Sequence, residues 1–69
     1  MKALRRKIKA IILAHGGLPG FNANEYMTKM RAILMRKLST QDKSTLNYNG
    51  VDIDKLITDI SQEIAEEIL

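Results

Sequence analysis

Cysteine and tryptophan are absent from this 69-residue chain, which has one proline, one histidine, two tyrosines and one phenylalanine. Without cysteine there is no disulfide, no thiolate nucleophile and no soft metal ligand, so a small fold goes without its usual staples. The lone histidine, His15, is the only side chain of the usual general-base type, and no serine, lysine or carboxylate stands at motif spacing from a base. A metal site built on His15 would need carboxylates, yet its surroundings are rich in cations. His15 reads instead as a helix-ending residue near the negative end of the helix dipole. The stretch Gly16–Gly17–Leu18–Pro19–Gly20 lacks the preceding strand and the Gly-Lys-Ser/Thr ending of a phosphate loop, and it reads as a turn. Carboxylates near the C-terminus do not follow the calcium-loop pattern. Together these gaps argue against an enzyme, a metal, a cofactor or a small-molecule substrate.

Long apolar runs are missing too. The longest near the start, Ala10–Ile11–Ile12–Leu13–Ala14, is too short for the core of a signal peptide and far too short to span a bilayer. A cytoplasmic protein with no membrane role is expected. Short length bounds the core: a chain of this size buries only about 60% of its extended-chain surface, so marginal stability or self-association is the expectation. A hydrophobic fraction of 45% nevertheless argues for folding rather than disorder.

What the chain does have is helical periodicity and a lopsided charge. Residues 1–69 read as a single all-α domain of three helices, a helix–loop–helix followed by a C-terminal helix. The first should run from Lys2 or Ala3 to His15, with Leu4, Ile8, Ile11, Ile12 and His15 on one face and Lys2, Arg5, Arg6 and Lys9 opposite. Gly16–Gly17 should end it. The connector is too long for the tight turn of a helix-turn-helix DNA reader.

The second helix carries the clearest start signal. Asn22 at the cap with Glu25 three residues on forms a capping box, and Phe21 with Tyr26 has the spacing of a hydrophobic staple; Asn24 is a rival cap. Its apolar face comprises Tyr26, Met27, Met30, Ile33, Leu34 and Leu38. Lys29, Ala32 and Arg36 lie opposite, with Arg31 and Met35 on the flanks. The methionines read first as core filler, with an adaptable binding groove as the alternative.

Ser39–Ser44 reads as a polar connection, with a helical turn starting at Ser39 or Thr40 as an option. Around Asn49–Gly50, Leu46, Tyr48, Val51 and Ile53 alternate, so residues 46–53 suit either a very short β-hairpin or a turn that leads to a helix capped by Asp52. The third helix, from about Ile53 to Ile68, has the sharpest stripe: Ile53, Leu56, Ile57, Ile60, Ile64 and Ile68.

Net charge is +3, but residues 1–43 hold ten Lys or Arg against two acids, and residues 44–69 hold one Lys against six. Such asymmetry implies an anionic partner or internal neutralisation. Cations crowd the start of the first helix and acids the end of the last, each the unfavourable end of its dipole. Placing those two ends side by side, with the helices antiparallel in one chain or across a dimer, would relieve both.

Two functions compete. The first is a non-catalytic regulatory protein, acting in transcription, that binds duplex DNA through a basic helical face. Arg5, Arg6, Lys9, Lys29, Arg31 and Arg36 would contact phosphates. The second is a protein–protein interaction module, a small helical inhibitor, adaptor or antagonist. Leu13 and Met35, apolar residues beside charged faces, mark a second interface, and a homodimer would cover them.

Overall fold

Isoleucines at 57, 60 and 64 fall three and four residues apart, so a helix gathers them into one stripe. In a computed structural model describing residues 2–15 and 23–68, all three are buried to within 1% of full enclosure. They stand on the last of four helices: α1 spans Lys2–Ala14, α2 Ala23–Lys37, α3 Thr40–Tyr48 and α4 Ile53–Ile68. One buried cluster joins the stripe to Leu4, Ile8 and Ile12 of α1, Met30 and Leu34 of α2, Leu38 just beyond it, and Leu46 of α3. Burying each such aliphatic side chain stabilises the fold by about 1.5–3 kcal/mol. The all-α domain read from the sequence is present, and no strand occurs among the described residues.

Among the described residues the helix count is four rather than three, and the optional hairpin at 46–53 does not form. What happens there instead follows from capping chemistry. Ser39 Oγ accepts a hydrogen bond from the Asp42 N–H at 3.0 Å, while Asp42 Oδ2 accepts from the Ser39 N–H at 3.2 Å. This reciprocal capping box starts a full helix in a stretch that reads as a polar connection. The same helix ends at Asn49–Gly50. Gly50 takes φ +65°, its N–H donates to Asn47 O at 3.1 Å, and the Val51 N–H donates to Leu46 O at 3.0 Å. That pair of bonds is the Schellman ending of a helix, which uses the glycine conformation that a hairpin turn would also have used. Leu46 is therefore buried while Tyr48 is 91% exposed, whereas an alternating strand would have put both on one side.

Asp52 caps α4 as its position suggests, its Oδ1 accepting from the N–H groups of Asp54 (3.0 Å) and Lys55 (3.3 Å). Gly16–Gly17, the turn at 18–20 and the Phe21–Asn22 staple and cap all lie outside the described residues. His15 closes α1 with its N–H on the Ile11 and Ile12 carbonyls, each at 3.2 Å, and is exposed rather than part of the apolar face.

α2 and α4 run antiparallel: Tyr26 near the start of α2 meets Ser61 late in α4, and Arg31 further on meets Asp54 near the start of α4. Ser61 is the one buried polar side chain among the described residues, 1% exposed, and its Oγ lies 2.9 Å from Tyr26 Oη. Met30 is core filler, Met27 is half-buried, and Met35 is exposed.

The glycine requirement at position 50 can be isolated from packing, because an added Cβ there would meet no atom within 4 Å. Replacing Gly50 with alanine should lower the unfolding free energy by about 1–2 kcal/mol through backbone conformation alone. Urea denaturation should show the midpoint fall, and Gly50→Asn should recover part of the loss.

Candidate nucleic-acid interface

Helix α1 contributes five cations and no acid, and α2 contributes four cations and a single acid, Glu25. Both helices turn their apolar faces to α4, which leaves the basic residues at the margins and on the outside. The six candidate phosphate-binding residues then divide into two sets according to what α4 offers them.

Arg5, Lys9 and Arg31 are held by α4. Arg5 Nη1 lies 2.7 Å from Glu63 Oε2, and Lys9 Nζ lies 3.3 Å from Glu63 Oε1 and 2.7 Å from Glu67 Oε1. Arg31 grips Asp54 with two parallel bonds, Nε to Oδ1 at 2.8 Å and Nη2 to Oδ2 at 2.7 Å, the fork geometry particular to arginine. A fifth pair joins α1 to α3, Lys7 with Asp42. The anionic tail therefore does meet the cationic front within one chain. The antiparallel direction expected of these two helices is not the one adopted: Arg5 takes Glu63, and Lys9, one turn further along α1, is the residue that reaches Glu67. The pairs advance in the same direction along both helices.

Arg6, Lys29 and Arg36 take part in no ion pair among the described residues, and all three are exposed. Lys29, Ala32 and Arg36 form an exposed stripe on α2, with the small alanine between two cations. Lys2 precedes Arg6 by four residues on α1, and it too is exposed and outside the ion pairs. The interface candidates Leu13 and Met35 are 52% and 37% exposed.

Charge pairing shifts the titration of its members. The Lys7 ammonium, followed by the Ser39 backbone N–H, holds the Asp42 carboxyl below its ordinary value of 3.8. Arg5 and then Lys9 hold Glu63 below 4.5. Lys9 is raised above 10.5, chiefly by its hydrogen bond to Glu67. Hydrogen bonding to Asp54 likewise raises Arg31. Most of these groups stand substantially in solvent, so water and salt screen each interaction.

Ser61 escapes a reading of the sequence; serine on a helix is unremarkable until its neighbours are known, and no spacing rule pairs it with Tyr26. Among the described residues no group of three or more His, Cys, Asp or Glu is placed to hold a metal ion. No helix there is long and apolar enough to cross a membrane. Comparison with protein-family models, curated proteins and solved structures found no match.

The depressed carboxylates give a signed pH dependence. Asp42 and Glu63 bind protons more weakly folded than unfolded, so their contribution is complete above the ordinary carboxylate values and is lost as pH falls through the lowered folded ones. Lys9 acts in the opposite sense, its contribution fading as pH climbs past 10.5 towards the raised folded value. Thermal melts at low ionic strength should therefore lose midpoint below about pH 4.5, and E63Q should flatten that acid limb. An unchanged acid limb in E63Q would remove Glu63 from the account.

Proposed function

We propose that this chain is a non-catalytic, cytoplasmic regulatory protein that binds duplex DNA along its phosphate backbone, and so acts on transcription without reading base edges. The observation that carries the reading is the set of cations left over after internal pairing: Arg6 on α1 and Lys29 and Arg36 on α2, exposed and outside every ion pair among the described residues. Phosphate contacts supply sequence-independent affinity through release of condensed counterions. The sparse aromatics give little for stacking on single strands, which favours a duplex. Arg5, Lys9 and Arg31 contribute less than their charge suggests, because each already has a carboxylate.

A second reading, a protein-interaction module of the inhibitor, adaptor or antagonist kind, is favoured by Leu13 and Met35. An apolar side chain half in water on the outside of α1, and another on α2, would gain from being covered by a partner or by a second copy of the chain. The two readings are compatible in a DNA-binding homodimer.

Fluorescence anisotropy with a labelled duplex at two salt concentrations tests the first reading. Binding should weaken steeply as salt rises. The triple variant R6A/K29A/R36A should bind more weakly and with a shallower salt slope, by about 0.9 for each phosphate no longer neutralised. R31A should change the slope least. Absence of duplex binding at low salt would transfer the case to the protein-partner reading, for which solution mass is the first measurement.

A further inference from the structure

Where α1 crosses the end of α4, Lys2, Arg5, Arg6, Lys9 and Glu63 line a depression of about 250 Å³. Its lining holds four cations and one carboxylate. Glu63 engages two of them, one with each oxygen: Oε2 lies 2.7 Å from Arg5 and Oε1 lies 3.3 Å from Lys9. The arrangement has the form of an anion site occupied by a side chain of the protein itself. A carboxylate offers two oxygens and one negative charge. A phosphate offers more of both, and the two cations that Glu63 leaves without an ion pair, Lys2 and Arg6, line the same depression.

The occupant is also poorly held. Arg5 and Glu63 are 40% and 36% exposed in their side chains, so their attraction is largely screened; an incoming anion displaces that pair and the longer 3.3 Å contact of Glu63 with Lys9. Swinging Glu63 aside would free Arg5 completely, while Lys9 keeps Glu67 at 2.7 Å. From this geometry we infer that the α1 depression is a phosphate-binding site, with Glu63 as a built-in competitor that an external phosphate displaces. The inference deepens the duplex-binding reading, and rests on it where the phosphate is taken to belong to a nucleic-acid backbone; a free polyphosphate offers the same chemistry.

Two experiments separate these sources. In the first, pyrophosphate is titrated into the full chain at low salt while the arginine side-chain Nε–Hε signals are followed by NMR. The signals of Arg5 and Arg6 should move together, and that of Arg31 should not. In the second, duplex binding is compared for the wild-type chain, E63Q and E66Q. Glu66 is exposed and outside every ion pair among the described residues, so E66Q makes the same change in net charge away from the depression.

E63Q should bind duplex several-fold more tightly than E66Q, because no competing carboxylate then has to leave Arg5 before a phosphate can reach it. Circular dichroism verifies that each variant is folded, and the pyrophosphate titration on the unaltered chain needs no variant. Pyrophosphate binding without duplex binding would sustain the site, assign it to a small free anion, and sink the DNA reading alone. Measurable but equal duplex affinities for E63Q and E66Q, or a pyrophosphate titration that leaves Arg5 and Arg6 unmoved, would overturn the site.

Discussion

Everything in this fold leans on one apolar seam, the isoleucine stripe of α4. With no disulfide available and 69 residues in the chain, the stripe is the surface on which the other helices must dispose of their own apolar faces. α1 brings Leu4, Ile8 and Ile12 to it and α2 brings Met30 and Leu34. Once those faces are committed, the placement of charge is a consequence. Cations on α1 and α2 that flank the seam come within reach of carboxylates on α4, and those on the far sides do not.

That geometry explains why the ion pairs are best understood as a sorting of charge rather than as the source of cohesion. Each pair stands partly in water, where Coulomb attraction is weak and salt weakens it further. Their stronger effect is electrostatic in a different sense. By cancelling Arg5, Lys9 and Arg31 against Glu63, Glu67 and Asp54, they confine the uncancelled positive potential to Arg6, Lys29 and Arg36 and a few neighbouring lysines. A chain whose net charge is only +3 can thereby present a face more basic than its total suggests.

The long helices are legible in the sequence because their stripes repeat over three or four turns, and a period that long outweighs local ambiguity. α3 is not, because it buries a single residue, Leu46, and so has no stripe to read. Its signal is the Ser39–Asp42 box, two residues in a polar stretch where serine and aspartate are equally at home in a loop. Asn49–Gly50 misleads for a related reason: a glycine at positive φ serves a helix ending and a hairpin turn alike, and only the carbonyls it serves distinguish them. The basic face is visible as composition. Which cations are cancelled is not, since Arg5 meets Glu63 only after two helices that are distant in sequence have packed.

The hydroxyl pair between Tyr26 and Ser61 has a bearing on uniqueness. Isoleucines spaced at nearly even intervals make a surface that another helix could grip in more than one alignment, because sliding by a turn exchanges one aliphatic neighbour for a similar one. A serine set among them breaks that near-equivalence. Away from this alignment its hydroxyl would lose the Tyr26 phenol, a hydrogen bond of net worth about 0.5–1.5 kcal/mol. Ser61 thus favours the setting of α2 that keeps Tyr26 opposite it, a preference that greasy contact alone would not supply.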